Sequence, residues 1–229
     1  MTMSVSRIAQ AVAVKDLRIE LRSRIVTNQV LPFSGLVMVM FAFALDSDDV
    51  LQGVAGGLVW LATIFSLFIL VQRSFAIEVS DGALDSLRVA GVNPQGIFLG
   101  KSISLFVQLI ALEVVLFLTA VVLYRVNLGG AGLVLLVTCV VSATAGLAFV
   151  GTLYGGLTAG ARGRETLLPL LLLPVVAPVL ISATRATEAA FTSNGVTVSE
   201  GWPWVAVLAV FAAVFGLGGL LSFGSLIEE

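Results

Sequence analysis

This chain of 229 residues is 59% hydrophobic and only 11% charged, with a mean hydropathy of +1.10, whereas soluble domains carry about 25% charge. Such a surface would not stay dissolved, so the sequence reads as an all-α integral membrane protein forming one domain over residues 1–229. Histidine is absent and Cys139 is the single cysteine. That combination excludes a disulfide framework, leaves no ordinary zinc ligand set and removes Ser-His hydrolase chemistry.

Residues 1–24 alternate charged and apolar residues without the continuous apolar core of a secretory leader. At about 100° per residue, Val5, Ile8, Val12 and Ile19 share one side of a helix, and Arg7, Lys15, Arg18 and Arg22 share a neighbouring side. Asp16 and Glu20 interrupt the pattern slightly. The expectation is an interfacial helix whose basic face meets anionic lipid headgroups or a partner.

Apolar runs follow at residues 25–45, 53–71, 97–123, 131–158, 167–184 and 204–227. Each is about as long as the roughly 20 residues a helix needs to cross the hydrocarbon. With both termini on the cytoplasmic side, the inner segments hold Arg7, Lys15, Arg18, Arg22, Arg24, Arg73, Arg88, Lys101, Arg162 and Arg164, and the outer loops only Arg125 and Arg185. That bias follows the positive-inside rule and predicts a multi-pass protein of the plasma (cell inner) membrane. The outer side then carries an acidic turn at residues 46–49 and a loop over 185–203, with a short helical stretch at 186–191 and with Trp202 and Trp204 as interface anchors.

The long polar interval, residues 72–96, lies on the cytoplasmic side in this arrangement. Leu84, Leu87, Val89 and Ala90 supply an apolar side, while Glu78, Asp81, Asp85 and Arg88 stay polar. Asp81-Gly82 is a turn signal, and Asn93-Pro94 marks a boundary, because the residue before proline avoids helical geometry. The pattern predicts a short amphipathic helix tied to two spans, suited to receiving force from a soluble partner.

Within the spans, small residues recur four apart (Gly53 and Gly57, Ser142 and Gly146, Gly151 and Gly155, Gly156 and Gly160, Gly218 and Ser222), a spacing that lets helices pack closely. Pro169, Pro174 and Pro178 crowd the fifth span, where each removes a backbone donor and favours a bend. Glu113 is the one acidic group deep in a span; the cost of burying it predicts a place in the interior or at a subunit seam. No G-x-x-x-x-G-K-[ST] loop is present, so ATP hydrolysis must come from elsewhere. Nothing in the charge pattern points to nucleic acid.

The run Asp81-Gly82-Ala83-Leu84-Asp85-Ser86-Leu87, followed by Lys101 at the opening of the next span, resembles the haem exporter B family (CcmB). These are the permease subunits of the cytochrome c maturation ABC transporter. The segment Lys15-Asp16-Leu17-Arg18-Ile19-Glu20 with Arg22-Ser23 resembles the helix before that family's first span. The chain departs at Gly91, where the family usually has a proline, leaving Pro94 nearby.

The resemblance implies a type-2 exporter permease architecture and a non-catalytic subunit. It implies a homodimer of permeases and a separate CcmA-like ABC ATPase subunit that binds ATP and docks on Glu78, Asp81, Gly82, Leu84, Asp85, Leu87 and Arg88. It further implies a haem-handling membrane protein and a small single-span subunit as partners, with ATP hydrolysis driving haem export or release of the haem-loaded chaperone. The chain itself is expected to bind no haem, since without histidine only Met38, Met40, Tyr124, Tyr154 and Cys139 remain as iron ligands. Two other readings compete: a permease of the same architecture exporting a lipid, drug or glycan, and a scaffold subunit without an ATPase.

Overall fold

A backbone in hydrocarbon must satisfy its own hydrogen bonds, and helices are one of two ways to do so. The computed structural model follows that rule, being all-α among the residues it describes: 4–80 and 92–228, apart from 25, 46, 127 and 162. The elements are α1 (Val5–Ser23), a π-helical turn (Val26–Val30) running into α2 (Leu31–Ala44), α3 (Asp48–Ser80), α4 (Pro94–Leu123), α5 (Gly130–Thr158), α6 (Arg164–Ala190), two 3-10 turns (Ser193–Gly195 and Val198–Gly201) and α7 (Trp202–Glu228). Six stretches are long and apolar enough to cross a membrane: Val26–Ala44, Asp49–Glu78, Pro94–Leu123, Gly130–Thr158, Glu165–Ala190 and Val198–Ser225.

The six expected spans are therefore present, but three of the helices outrun their apolar runs. The second continues to Ser80, so residues 72–80 belong to a spanning helix rather than to the polar interval. The third span, α4, begins at Pro94, with Asn93 as its cap accepting a hydrogen bond from the Gln95 amide. The fifth span runs unbroken through its three prolines to Ala190. The helical stretch expected inside an outer loop at 186–191 is thus the end of α6, and the loop before α7 shortens to residues 191–201. The heart of the polar interval, residues 81–91, lies outside the described residues.

α5 stands at the centre, packing on α3, α4, α6 and α7. Gly151 and Gly155 seat Leu67, Val71 and Phe75 of α3, while Gly146 and Gly156 seat Phe211 and Phe223 of α7. Those repeats serve packing within the chain; Gly160 and Gly218 have open space where a side chain would stand. Polar clasps join the helices elsewhere: Trp60 Nε1 donates to Thr187 Oγ1 at 2.9 Å, and Tyr124 Oη donates to the Met38 carbonyl at 2.9 Å. Trp202 and Trp204 are exposed at the start of α7, as interfacial anchors would be. The outward faces of α2 and α7 carry exposed Phe33, Leu36, Phe43, Val210, Leu217 and Leu221, which suits contact with lipid.

α1 does not cross the bundle. It lies along the start of α4 and buries Ile8, Ala9, Val12, Ala13 and Asp16. Its closeness depends on Gly96 and Gly100, whose missing side chains leave room for Ile8, Val12 and the Ala9 carbonyl.

Candidate functional site

The interruptions in α1's amphipathic pattern have structural partners. Asp16 falls on the buried side, 8% exposed, because the Lys101 ammonium is there to meet it. Lys101, two turns into α4, is fully buried. Its three N–H groups are matched by Asp16 Oδ2 at 3.3 Å, Glu78 Oε1 at 3.0 Å and Ser74 Oγ at 3.0 Å. Its ammonium also lies 4.5 Å from the centre of the Phe75 ring, a cation–π distance. Lys15 closes the cluster from the outside, 2.6 Å from Glu78 Oε1 and 3.1 Å from Asp16 Oδ1.

Two lysines and two carboxylates make a neutral quartet from α1, α3 and α4. Such burial is tolerable only when charges are paired and their remaining protons satisfied. Burial opposes the charge on Lys15, but the hydrogen bond it donates to Glu78 and the negative charges of Asp16 and Glu78 outweigh it, so its pKa stands above the ordinary lysine value. The stabilisation Lys15 contributes is therefore complete below the pKa of a free lysine and is lost only as pH rises through the higher folded value. Glu78 Oε2 and Arg73 Nε have no hydrogen-bond partner among the described residues. Both residues line a cavity of about 30 Å³ beside the quartet.

Glu78 thus stands apart from the docking set expected for it. It is 2% exposed and serves as the shared acceptor of both lysines, not as a solvated group on a docking face. Asp81, Gly82, Leu84, Asp85, Leu87 and Arg88, the rest of that set, lie outside the described residues. Of the basic face, Arg7, Lys15, Arg18 and Arg22 do line one trough along α1, with Lys15 turned partly into the quartet. Lys101 and Asp16 as partners were missed. The signals were an acid on the apolar side of an amphipathic helix and a lysine inside the first turns of a span, each needing an opposite charge.

The quartet lies at the two roots of the polar interval. Glu78 stands two residues before the end of α3 at Ser80, and Lys101 two turns after α4 begins at Pro94. Charge pairing and close packing bind both roots to α1. A push on the interval therefore meets three helices fastened together.

Glu113 lies in the interior, fully buried, with Thr144 of α5 as its partner. The Thr144 hydroxyl is 2.6 Å from Glu113 Oε2 and also 2.6 Å from the Val140 carbonyl. A hydroxyl has one hydrogen. Glu113 Oε2 and the Val140 carbonyl therefore share the single Thr144 donor. Glu113 Oε1 has no partner among the described residues. Replacing Thr144 with valine is expected to cost about 1–3 kcal/mol by leaving the buried carboxyl unmatched, and Glu113→Gln, which keeps an acceptor oxygen for Thr144, about 0.5 kcal/mol or less. Melting curves of the purified variants in detergent check this; equal melting of Thr144→Val and parent would remove the pairing.

No group of three or more His, Cys, Asp or Glu side chains able to hold a metal ion occurs among the described residues. Tyr124 commits its hydroxyl to the Met38 carbonyl, and Cys139 is buried against the Ala183 carbonyl.

Residues 7–220 match the family model described as CcmB protein. Among curated proteins, the chain is 28% identical over 174 residues to "Heme exporter protein B" of Rhodobacter capsulatus, covering 75% of this chain and 78% of that one. It is 27% identical to the protein of the same name from Paracoccus denitrificans, covering 78% of this chain and 82% of that one. For the Haemophilus influenzae protein of that name the identity is 29%, with 77% and 79% covered. The matched region takes in most of α1, the polar interval, five of the six crossing helices and most of the sixth, and the chain belongs to the CcmB family.

Proposed function

We propose that this chain is the membrane permease subunit of an ABC transporter serving haem export and cytochrome c maturation. The observation that carries the reading is the family match over residues 7–220, which includes most of α1, the interval, five of the six spans and most of the sixth. The chain holds no nucleotide-binding loop, so a separate CcmA-like ATPase supplies the energy. Two permease copies in a type-2 exporter arrangement receive it, with a haem-handling membrane protein and a small single-span subunit completing the complex. Haem is handled by those partners; this subunit contributes no axial ligand set of its own.

The mechanism is mechanical. The ATPase presses on the interval at Leu84 and Leu87, on the cytoplasmic side to which ten of the twelve Lys and Arg residues are assigned. The interval joins α3 to α4 directly. At its roots the quartet holds those helices and α1 as one body, so displacement passes into the bundle rather than being lost in a loose hinge. α5, packed on α3, α4, α6 and α7, spreads that motion toward the loop before α7.

Leu84→Asp is expected to abolish co-purification with the ATPase subunit from native membranes, while the protein still inserts and keeps its melting profile. A charge placed in an apolar dock loses both the contact and its desolvation balance. Continued co-purification with coupled ATP hydrolysis would move the docking site elsewhere.

A further inference from the structure

α1 carries two acids among its cations, and the fold turns both away from its outer face. Asp16 is buried against Lys101. Glu20 folds back on the helix end, accepting from the Val26 amide at 2.7 Å and from Ser23. What remains outside is a shallow trough along α1 lined by Arg7, Lys15, Arg18 and Arg22 together with Val14 and Ile19. Among the described residues, no acid pairs with Arg7, Arg18 or Arg22 in the salt bridges found, and all three are exposed.

The depth of this trough follows from α4. A helix of 30 residues is about 45 Å long, and the hydrocarbon is about 30 Å thick. The excess of about 15 Å, shared between two ends, puts roughly five residues of each end in the headgroup layer. Gly96 and Gly100, against which Ile8, Ala9 and Val12 pack, fall at that boundary. α1 is therefore level with the headgroups rather than out in water. Val14 at 38% and Leu21 at 76% exposure would be costly in water and are at home beside acyl chains.

We propose that the Arg18–Arg22 end of the basic face of α1 is a binding site for an anionic phospholipid, the two guanidinium groups, one turn apart, holding the headgroup phosphate and Val14 and Leu21 resting on the acyl chains. Arginine presents several N–H donors in a fixed fork that matches a phosphate. The apolar residues and the depth favour a lipid over an acidic protein, which would need this face to stand clear of the headgroups. The inference needs only that the chain crosses a membrane, and it stands whether or not an ATPase docks at Leu84.

Native mass spectrometry of the full chain, released from detergent containing equal phosphatidylglycerol and phosphatidylcholine, tests the site. Phosphatidylglycerol is expected to stay bound in preference to phosphatidylcholine and to be lost as salt rises. The double variant R18Q/R22Q should lose about 25-fold in retention, at roughly fivefold per arginine. The charge-keeping R18K/R22K should fall between the glutamine variant and the parent, keeping the charge but not the fork, which keeps the test decisive if the glutamine variant folds poorly. Equal retention of the two lipids, or full retention by a folded glutamine variant, overturns the proposal. So does displacement of the bound lipid by inorganic phosphate at equal concentration, since the face would then read phosphate alone. Loss of a co-purifying protein with lipid retention unchanged would make it a protein surface and overturn it as well.

Discussion

Lys101→Met is expected to destabilise the protein by about 3–5 kcal/mol, the cost of breaking a buried ion pair by removing one partner. Asp16 and Glu78, 8% and 2% exposed, would be left with Lys15 as their only ion-pair partner among the described residues, and its side chain is 43% exposed. Methionine fills much of the volume, so the loss reports charge rather than a cavity. A charge-balanced double variant, Lys101→Met with Glu78→Gln, leaves Lys15 paired with Asp16 and should recover part of that loss. Melting of the three proteins in the same detergent checks both statements. If the double variant were no more stable than Lys101→Met alone, the two residues would not be coupled, and the quartet would not be what binds α1 to the ends of α3 and α4.

Gly100→Val is expected to prise α1 from the bundle. The new Cβ would meet the Ala9 carbonyl oxygen, a backbone atom that no rotamer change can move, together with Val12. Overpacking of this kind costs about 1–3 kcal/mol. Here the cost falls on one docked helix, so local release is the expected response. A cysteine placed at Ala9, 5% exposed in the parent, reports it: maleimide labelling should quicken about tenfold for each 1.4 kcal/mol lost. The one native cysteine, Cys139, is buried and adds little background. Unchanged labelling would mean that α1 does not depend on the glycine seat.

Both variants probe the same junction, and the interval rises from it. If α1, α3 and α4 move together, loosening α1 should weaken coupling to the ATPase even though no docking residue has changed.

The six crossings were legible in the sequence because hydrocarbon imposes one local requirement, a run of apolar residues of sufficient length. Hydropathy reads the membrane, however, and not the helix. The second run was read over 53–71, but α3 extends to Ser80 because polar residues remain helical after leaving the hydrocarbon, provided another element packs on them. Ala186 to Ala190 likewise continue α6, where the sequence suggested a separate short helix inside an outer loop. Ile8 and Val12 were legible as the buried side of α1, since an amphipathic period is also local.

The quartet was not legible as a unit. Asp16 looked like a blemish in a basic helix, Lys101 like the opening of a span and Glu78 like part of a docking face. Each reading came from a residue's sequence neighbours, whereas their partners lie on other helices.

The sequence by itself determined that this chain lives in a membrane, crosses it six times, carries no G-x-x-x-x-G-K-[ST] run and resembles the CcmB family; composition, hydropathy and motifs carry those facts locally. Only the tertiary structure decided which charges are spent inside and which face outward. A buried charge is tolerated only beside its counter-charge, and that partner is chosen by how helices pack rather than by where residues fall along the chain.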